Sequence, residues 1–215
     1  MKAVLIATIL VAAISGASSA TALTSQVGAR TYMVRAGAGE PVLAPFEHVR
    51  FCMRQPEQCA AVSRGGDVIA LDDFTRDELH AVNRSVNAGI YPERKTDRSR
   101  FEGEWAIHPV RGDCNDYAVT KRSELIQRGY PSSALLLSVV QTGSGEGHLV
   151  LLVRTSSGDL VLDNLSSALR PWQATGYRWL SRQSDLNPQY WVSIRLERKS
   201  LGPMLVAELR GTTVE

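Results

Sequence analysis

Three residues in the middle of the chain, Cys114, His148 and Asp163, are of the types that cysteine-dependent acyl transfer requires. In such chemistry a thiolate attacks a carbonyl carbon, an imidazole takes up and returns the proton, and a carboxylate fixes the tautomer and orientation of the imidazole. Singly these residues carry little weight, because a histidine at a strand end or an aspartate after a strand is usually structural. Together they predict Cys114 as nucleophile, His148 as base and Asp163 as orienting acid.

The cysteine lies at the start of a predicted helix. The run G-D-C-N-D-Y-A at residues 112–118 leads into an amphipathic stretch through residue 128, which Gly129 and Pro131 end. Unpaired N–H groups give a helix N-terminus a partial positive charge, which favours thiolate over thiol. The N–H of Cys114 is also a candidate donor to an oxyanion.

The N-terminus predicts export. Lys2 precedes an apolar run at residues 3–14, and an A-x-A site at residues 20–22 follows small residues. This pattern is typical of a cleaved signal peptide, here residues 1–22, rather than of a membrane anchor, which needs about 20 apolar residues in a row. We expect a periplasmic or secreted mature protein.

Cysteine parity singles out one thiol. Three cysteines in an exported chain leave one unpaired. Cys52 and Cys59 are close enough in sequence to close a small disulfide loop in an oxidising compartment, which leaves Cys114 free. An inert buried thiol is the ordinary alternative, but the neighbours of Cys114 are acidic and amide side chains rather than apolar ones.

The predicted elements come helix first and sheet second. A capping box at residues 75–78 opens a helix that ends near Gly89. Apolar runs at residues 134–141, 148–154 and 160–163 with short turns between them predict an antiparallel meander, and residues 190–195 a fourth strand. The hairpin returns Asp163 toward His148. This order predicts an α+β fold in which the helix with the nucleophile packs on an antiparallel sheet.

Length and charge narrow the classes of function. The 215 residues suit one domain, placed at residues 46–198, after an extended lead-in at residues 23–45 and before a tail at residues 199–215. There are 24 Lys and Arg against 22 Asp and Glu, with no basic block, so nucleic acid is a poor candidate partner.

The chain resembles the bacterial transglutaminase-like cysteine peptidases, a papain-like group. The resemblance rests on residues 112–118 and the helix after them, on G-H-L-V-L at residues 147–151, on L-D-N at residues 162–164 and on the upstream cysteine pair. It covers residues 46–194. It implies a papain-like or transglutaminase-like fold with the three catalytic residues named above, and a protein or peptide substrate.

The resemblance also raises expectations about partners and metal. The best-known relatives are periplasmic proteases that bind calcium, cut large surface adhesins and are held in check by an inner-membrane receptor for a cyclic dinucleotide. Their calcium ligands are acidic residues on both sides of the cysteine. Here Asp113 precedes it but Asn115 follows it, and calcium prefers several charged oxygens. Asp113 and Asp116 are the remaining candidate calcium ligands, and no cofactor is expected to be required.

Three other functions stay open at this point. The fold could serve as a catalytically silent module that binds peptides, or as a transamidating enzyme, because hydrolysis and transamidation share the same acyl-enzyme. A thiol oxidoreductase is a weaker reading, since the chain has no C-x-x-C motif. The hypothesis that the three residues bind zinc is also weaker than catalysis, because neither C-x-x-C nor H-x-x-x-H spacing is present.

Overall fold

The computed structural model describes residues 32–61, 67–93 and 104–200. Within these ranges the helices are α1 (Phe46–Arg54), α2 (Asp73–Gly89) and α3 (Cys114–Gln127). The strands are β1 (Tyr32–Val42), β2 (Tyr91–Pro92), β3 (Arg111–Gly112), β4 (Leu135–Gln141), β5 (Gly147–Thr155), β6 (Gly158–Leu162), β7 (Arg170–Pro171), β8 (Arg178–Gln183) and β9 (Trp191–Ser200). The predicted α+β class is confirmed.

The main sheet has seven strands in the order β1-β9-β8-β4-β5-β6-β7, and every neighbouring pair is antiparallel. The meander β4-β5-β6 lies at its centre, as the apolar runs predicted. In the β5-β6 hairpin Leu151 lies opposite Leu162, so the residue after β6 lies near the start of β5. This register positions the candidate site.

The central strands are buried on both faces. On β5, Leu149, Leu151 and Val153 pack in a core shared with the helices, while Val150 and Leu152 pack in a second core on the other face. Strands covered on both sides read as continuous apolar runs rather than as alternating ones. That is why the sequence of β4 and β5 lacks a polar face.

Strand β1 contributes Ala36 to the second core. It pairs with β9, and a buried ion pair links it to the start of β6: the Nη1 of Arg35 donates to Oδ1 of Asp159 at 2.7 Å. The N–H of Ala36 donates to the other oxygen of Asp159 at 2.8 Å. Residues 32–42, taken from sequence as part of an extended lead-in, therefore form an edge strand of the sheet.

Helix α2 begins earlier than the capping box predicted. Its N-cap is Asp72, whose side chain accepts the N–H of Thr75 at 2.7 Å. The prediction that the helix opens at residue 75 was wrong, because Asp72 supplies an equally suitable cap one turn upstream.

Two of the sequence predictions concern the ends of the chain. The predicted signal peptide, residues 1–22, and most of the predicted tail lie outside the described residues. In the described part, no helix has the length and apolar character needed to cross a membrane.

Candidate active site

The first turn of α3 is fixed by two carboxylates. Asp113 is the N-cap, and its Oδ1 accepts the N–H of Asn115 at 3.0 Å. Asp116 reaches back: its Oδ2 accepts the N–H of Asp113 at 2.9 Å, and its Oδ1 accepts the N–H of Ala106 at 2.8 Å. Gly112 is required beside it, because a Cβ at that position would lie 2.5 Å from Asp116 Oδ2. This capping box makes Cys114 the first residue of the helix.

Cys114 is a free, half-buried thiol that lines a cavity of about 630 Å³ together with His148. The N–H groups of Asn115 and Asp116 are taken by the side chain of Asp113. None of the hydrogen bonds that cap this turn uses the N–H of Cys114. A donor of this kind beside a nucleophile is suited to hold a negatively charged oxygen.

His148 and Asp163 are in direct contact. The Nε2 of His148 lies 2.9 Å from Oδ1 of Asp163, and each of the two side chains is only 5% exposed. An ionised carboxylate can only accept hydrogen bonds, so we assign the shared proton to Nε2 of His148. The other ring nitrogen, Nδ1, is then available to the thiol of Cys114. The structure therefore brings all three sequence-predicted residues to one place.

Two further side chains hold Asp163, and sequence reasoning missed both. The hydroxyl of Tyr177 donates to its Oδ2 at 2.5 Å, and the tyrosine ring meets the His148 ring edge-on at a centroid distance of 5.7 Å. The side-chain amide of Asn87 on α2 donates to the backbone carbonyl of Asp163 at 2.9 Å. Tyr177 immediately precedes β8, a strand whose sequence, R-W-L-S-R-Q, gives only a weak signal.

The electrostatics of the pair favour a charged histidine. Burial is the largest influence on His148 and lowers its pKa, but hydrogen bonds to Asp163 and Cys114 outweigh it and raise the pKa to about 9. Burial alone would raise the pKa of Asp163, yet hydrogen bonds from His148, Tyr177 and Leu165 hold it below its usual value. At neutral pH this site favours an imidazolium between a carboxylate and a sulfur.

The second cysteine cluster lies apart from the cavity. Cys52 and Cys59 form a disulfide with a Cα–Cα distance of 5.5 Å, and the imidazole of His48 lies against it, with Nε2 at 3.4 Å from the sulfur of Cys52. His48 is fully buried, as a packing histidine would be, and its Nδ1 accepts the indole N–H of Trp191 at 3.2 Å. Burial first, and the charge of Arg122 second, lower the pKa of His48 to about 4.

The two predicted calcium ligands, Asp113 and Asp116, take part in the hydrogen bonds that cap α3. Calcium takes six to eight oxygens, about 2.3–2.6 Å away. Both oxygens of Asp116 already accept backbone N–H groups and the residue is fully buried, while Asp113 caps the helix through Oδ1. Within residues 32–61, 67–93 and 104–200, the cluster of three potential metal-ligating side chains is His48 with Cys52 and Cys59, and those two sulfurs are bonded to each other.

A family model described as bacterial transglutaminase-like cysteine proteinase matches residues 38–199. The chain belongs to this family. It is therefore a cysteine peptidase with a transglutaminase-like fold, and the resemblance drawn from the sequence is confirmed.

Solved structures similar to the chain are forms of LapG from Legionella pneumophila. One form is 23% identical, covering 55% of this chain and 67% of that one, with a TM-score of 0.46. The calcium-bound form is 22% identical, covering 63% and 80%, also with a TM-score of 0.46. The EGTA-treated form is 24% identical, covering 54% and 66%, with a TM-score of 0.44. No curated protein matches the chain.

Proposed function

We propose that this cysteine peptidase hydrolyses an amide bond in a protein substrate through an acyl-enzyme, with Cys114 as nucleophile, His148 as general base and acid, and Asp163 as orienting group. The observation that carries the proposal is the joint arrangement: a free thiol at a helix N-terminus shares a cavity with a histidine that is hydrogen-bonded to a buried carboxylate. A module that only bound peptides would need none of these contacts.

The residues account for each step of hydrolysis. The Cys114 thiolate attacks the amide carbon, and the oxygen that becomes negative is stabilised by the N–H of Cys114. Nδ1–H of the His148 imidazolium then protonates the departing amine, which leaves a thioester on the sulfur. Neutral His148 next takes a proton from water, the hydroxide attacks the thioester, and the carboxylic acid product leaves as the thiolate and imidazolium are restored.

Asp163 serves this cycle by holding one orientation of the ring. Its Oδ1 accepts Nε2–H of His148, and Oδ1 and Oδ2 also accept from Leu165 N–H and the Tyr177 hydroxyl. Because the carboxylate stays ionised, the imidazolium is stabilised and the proton remains on the nitrogen that faces it.

We place the active protein outside the cytoplasm. The signal-peptide pattern of residues 1–22 supports export, and so does the Cys52–Cys59 disulfide, since disulfides persist in oxidising compartments. This predicts a secreted or periplasmic mature chain starting after residue 22.

We further propose that catalysis does not require calcium. The capping roles of Asp113 and Asp116, together with Asn115 between them, support this proposal. Both carboxylate oxygens of Asp116 and Oδ1 of Asp113 accept backbone N–H groups here. Equal hydrolysis rates with excess EGTA and with millimolar calcium are expected, whereas a loss of activity in EGTA that calcium restores would contradict the proposal.

The test of the peptidase function uses residues 23–215 and a tryptic peptide library from a periplasmic extract. Wild-type protein and Cys114→Ala are compared by mass spectrometry, with Cys114→Ser as a second variant that keeps a nucleophile of similar size. New peptide ends only with the wild type, and a covalent acyl adduct on Cys114, are expected. Identical peptide patterns from wild type and Cys114→Ala would remove the proposal, and amine-linked products with added methylamine would indicate transamidation instead.

A further inference from the structure

Lys121 is a lysine whose side chain lies in the interior of the protein. It lies seven residues after Cys114 on α3, its side chain is fully buried, and its Nζ has no hydrogen-bond partner in the described part of the chain. Lysine is almost never fully buried unless it is paired. Such an ammonium group calls for a compensating charge nearby.

The packing of α2 against α3 shows what surrounds it. The two helices run antiparallel, since Arg128 and Tyr130 contact Glu78 at one end and the hydroxyl of Tyr117 donates to the carbonyl of Ile90 at the other. The middle of α3 therefore faces the second half of α2.

On that part of α2 two asparagines hold the chain around the catalytic aspartate. The amide of Asn87 donates to the carbonyl of Asp163 and that of Asn83 to the carbonyl of Ser166, at 2.9 and 3.0 Å. The side-chain oxygens of both asparagines are buried, and within the described residues neither has a donor. These oxygens are uncharged acceptors, so they can solvate an ammonium group but cannot neutralise it.

The charge that acts on Lys121 comes from the active site. Burial lowers the pKa of Lys121, and the negative charge of Asp163 raises it, with a resulting value of about 7. The ring of Tyr117, one turn earlier on α3, lies 5.8 Å from Nζ. On the sheet side Asp163 follows strand β6, while the charged residue in the second half of α2, Arg84, is exposed.

We propose that Lys121 is a positioning residue of the active site, a buried counter-ion that compensates the carboxylate of Asp163. This inference rests on the proposed function. When Cys114 is a thiolate, the set of thiolate, imidazolium and carboxylate carries one net negative charge, and Lys121 in its protonated form brings the total to zero. Lys121 touches no substrate and acts through Asp163.

The variants Lys121→Met and Lys121→Gln remove the charge while keeping similar length. The readout is the rate of iodoacetamide alkylation of Cys114 against pH, which needs no substrate. Without the positive charge the thiolate is harder to form, so the rise in alkylation is expected to move to higher pH by roughly half to one unit. The control is Arg128→Gln, which removes a positive charge at the exposed end of α3 and should leave the profile unchanged.

A second arm tests whether the effect runs through Asp163. In an Asp163→Asn background, the further change Lys121→Met should shift the profile by much less than it does in the wild type, because the two charges act as a pair. Equal shifts in both backgrounds would overturn the proposal.

The outcomes separate this inference from the proposed function. If wild-type Cys114 alkylates like an ordinary thiol, the peptidase mechanism itself fails. If wild-type Cys114 is activated but both Lys121 variants follow its profile, only the counter-ion role fails. A lower rate at every pH without a shift, or loss of the near-ultraviolet circular dichroism of the folded state in both variants, also overturns it, because Lys121 would then serve the packing of the core alone.

Discussion

The protein contains two buried histidines beside cysteine sulfur, and they have opposite acid–base character. His48 lies 3.4 Å from the sulfur of Cys52, and its pKa is lowered to about 4. His148 shares a cavity with Cys114 and a hydrogen bond with Asp163, and its pKa is raised to about 9. A cysteine and a histidine in contact are therefore not enough to define a catalytic pair.

The neighbours account for the difference. His48 receives the indole N–H of Trp191 and faces the side-chain amide of Gln183, and the nearby charge of Arg122 is positive. All of these favour a neutral ring. His148 instead donates to the carboxylate of Asp163, which stabilises the charged ring against the cost of burial. One carboxylate thus separates a structural histidine from a reactive one.

The strongest way to break this contrast is Asp163→Asn, which should make His148 resemble His48. Cys114 alone would then oppose the effect of burial, so the pKa of His148 would fall from about 9, and the amide would stabilise the imidazolium poorly. We expect kcat/KM for peptide hydrolysis to fall about a thousandfold, and the decline of activity at high pH to begin at lower pH. Steady-state kinetics from pH 5 to 10 measure both.

The matched control for that substitution is Asp159→Asn. Asp159 is also a buried carboxylate near one end of β6, but its partners are Arg35 and the N–H of Ala36. The control should lower stability while each folded molecule keeps its activity. Similar losses of activity in both variants would mean that Asp163 matters only for folding.

His48 should make the unfolding free energy of the protein depend on pH in the acid range. A histidine whose pKa is lower in the folded state binds fewer protons there, so stability falls as the pH drops below the unfolded value of 6.5 and levels off below about 4. The loss amounts to about 3 kcal/mol. His148 has the opposite sign, since its contribution is complete below pH 6.5 and is lost as pH rises through about 9.

The variant His48→Gln isolates this contribution. Glutamine can still accept the indole N–H of Trp191 but does not titrate. Urea unfolding of both proteins between pH 7.5 and 4 should show a difference in unfolding free energy that shrinks as the pH falls, with normal hydrolysis by the variant near pH 7. A difference that stays constant with pH would show that His48 does not titrate as its burial requires.

The disulfide next to His48 should also contribute only to stability. Replacing both Cys52 and Cys59 with serine removes a cross-link of sequence separation 7, which is expected to lower the unfolding free energy by about 2.5 kcal/mol. Because the disulfide lies apart from the cavity, the alkylation rate of Cys114 should not change. A loss of Cys114 alkylation in the folded double variant would show that the two cysteine regions are coupled.

What could be predicted from sequence follows the same division. Cys114, His148 and Asp163 were identifiable because each lies at the boundary of a strongly patterned element, and a hairpin register brings the last two together. Strand β1 was not recognised as part of the sheet, because its glycines, alanines and proline give no alternating pattern and its pairing partner β9 lies about 150 residues later.

The buried polar groups behind the site were missed for another reason. Lys121 and Asn87 resemble ordinary polar positions of amphipathic helices. Only the packing of α2, α3 and the sheet buries Lys121 and brings the amide of Asn87 to the backbone of Asp163. Tyr177 precedes a short strand whose first four residues alternate between exposed and half-buried and whose last two are buried. Contacts between distant segments decide these roles, and a single sequence does not encode their distances locally.

Tyr177→Phe is the finest test of the comparison, because it weakens the support of Asp163 without removing the carboxylate. The variant keeps the ring against His148 and loses only the hydroxyl that donates to Oδ2. A hydrogen bond to a charged group contributes about 1.5–3 kcal/mol, so we expect kcat to fall about tenfold. KM should change little, since the lost contact is with Asp163 rather than with substrate.

Tyr130→Phe is the matched control, because it removes a tyrosine hydroxyl that donates to the carboxylate of Glu78, at the far end of the α2–α3 pair. Tyr130→Phe should lower the unfolding free energy by about as much as Tyr177→Phe does, and it should leave kcat unchanged. If Tyr177→Phe also leaves kcat unchanged, the His148 contact alone holds Asp163 in place. If it reduces kcat as much as Asp163→Asn does, the contrast between the two histidines depends on the network around the carboxylate and not on its charge alone.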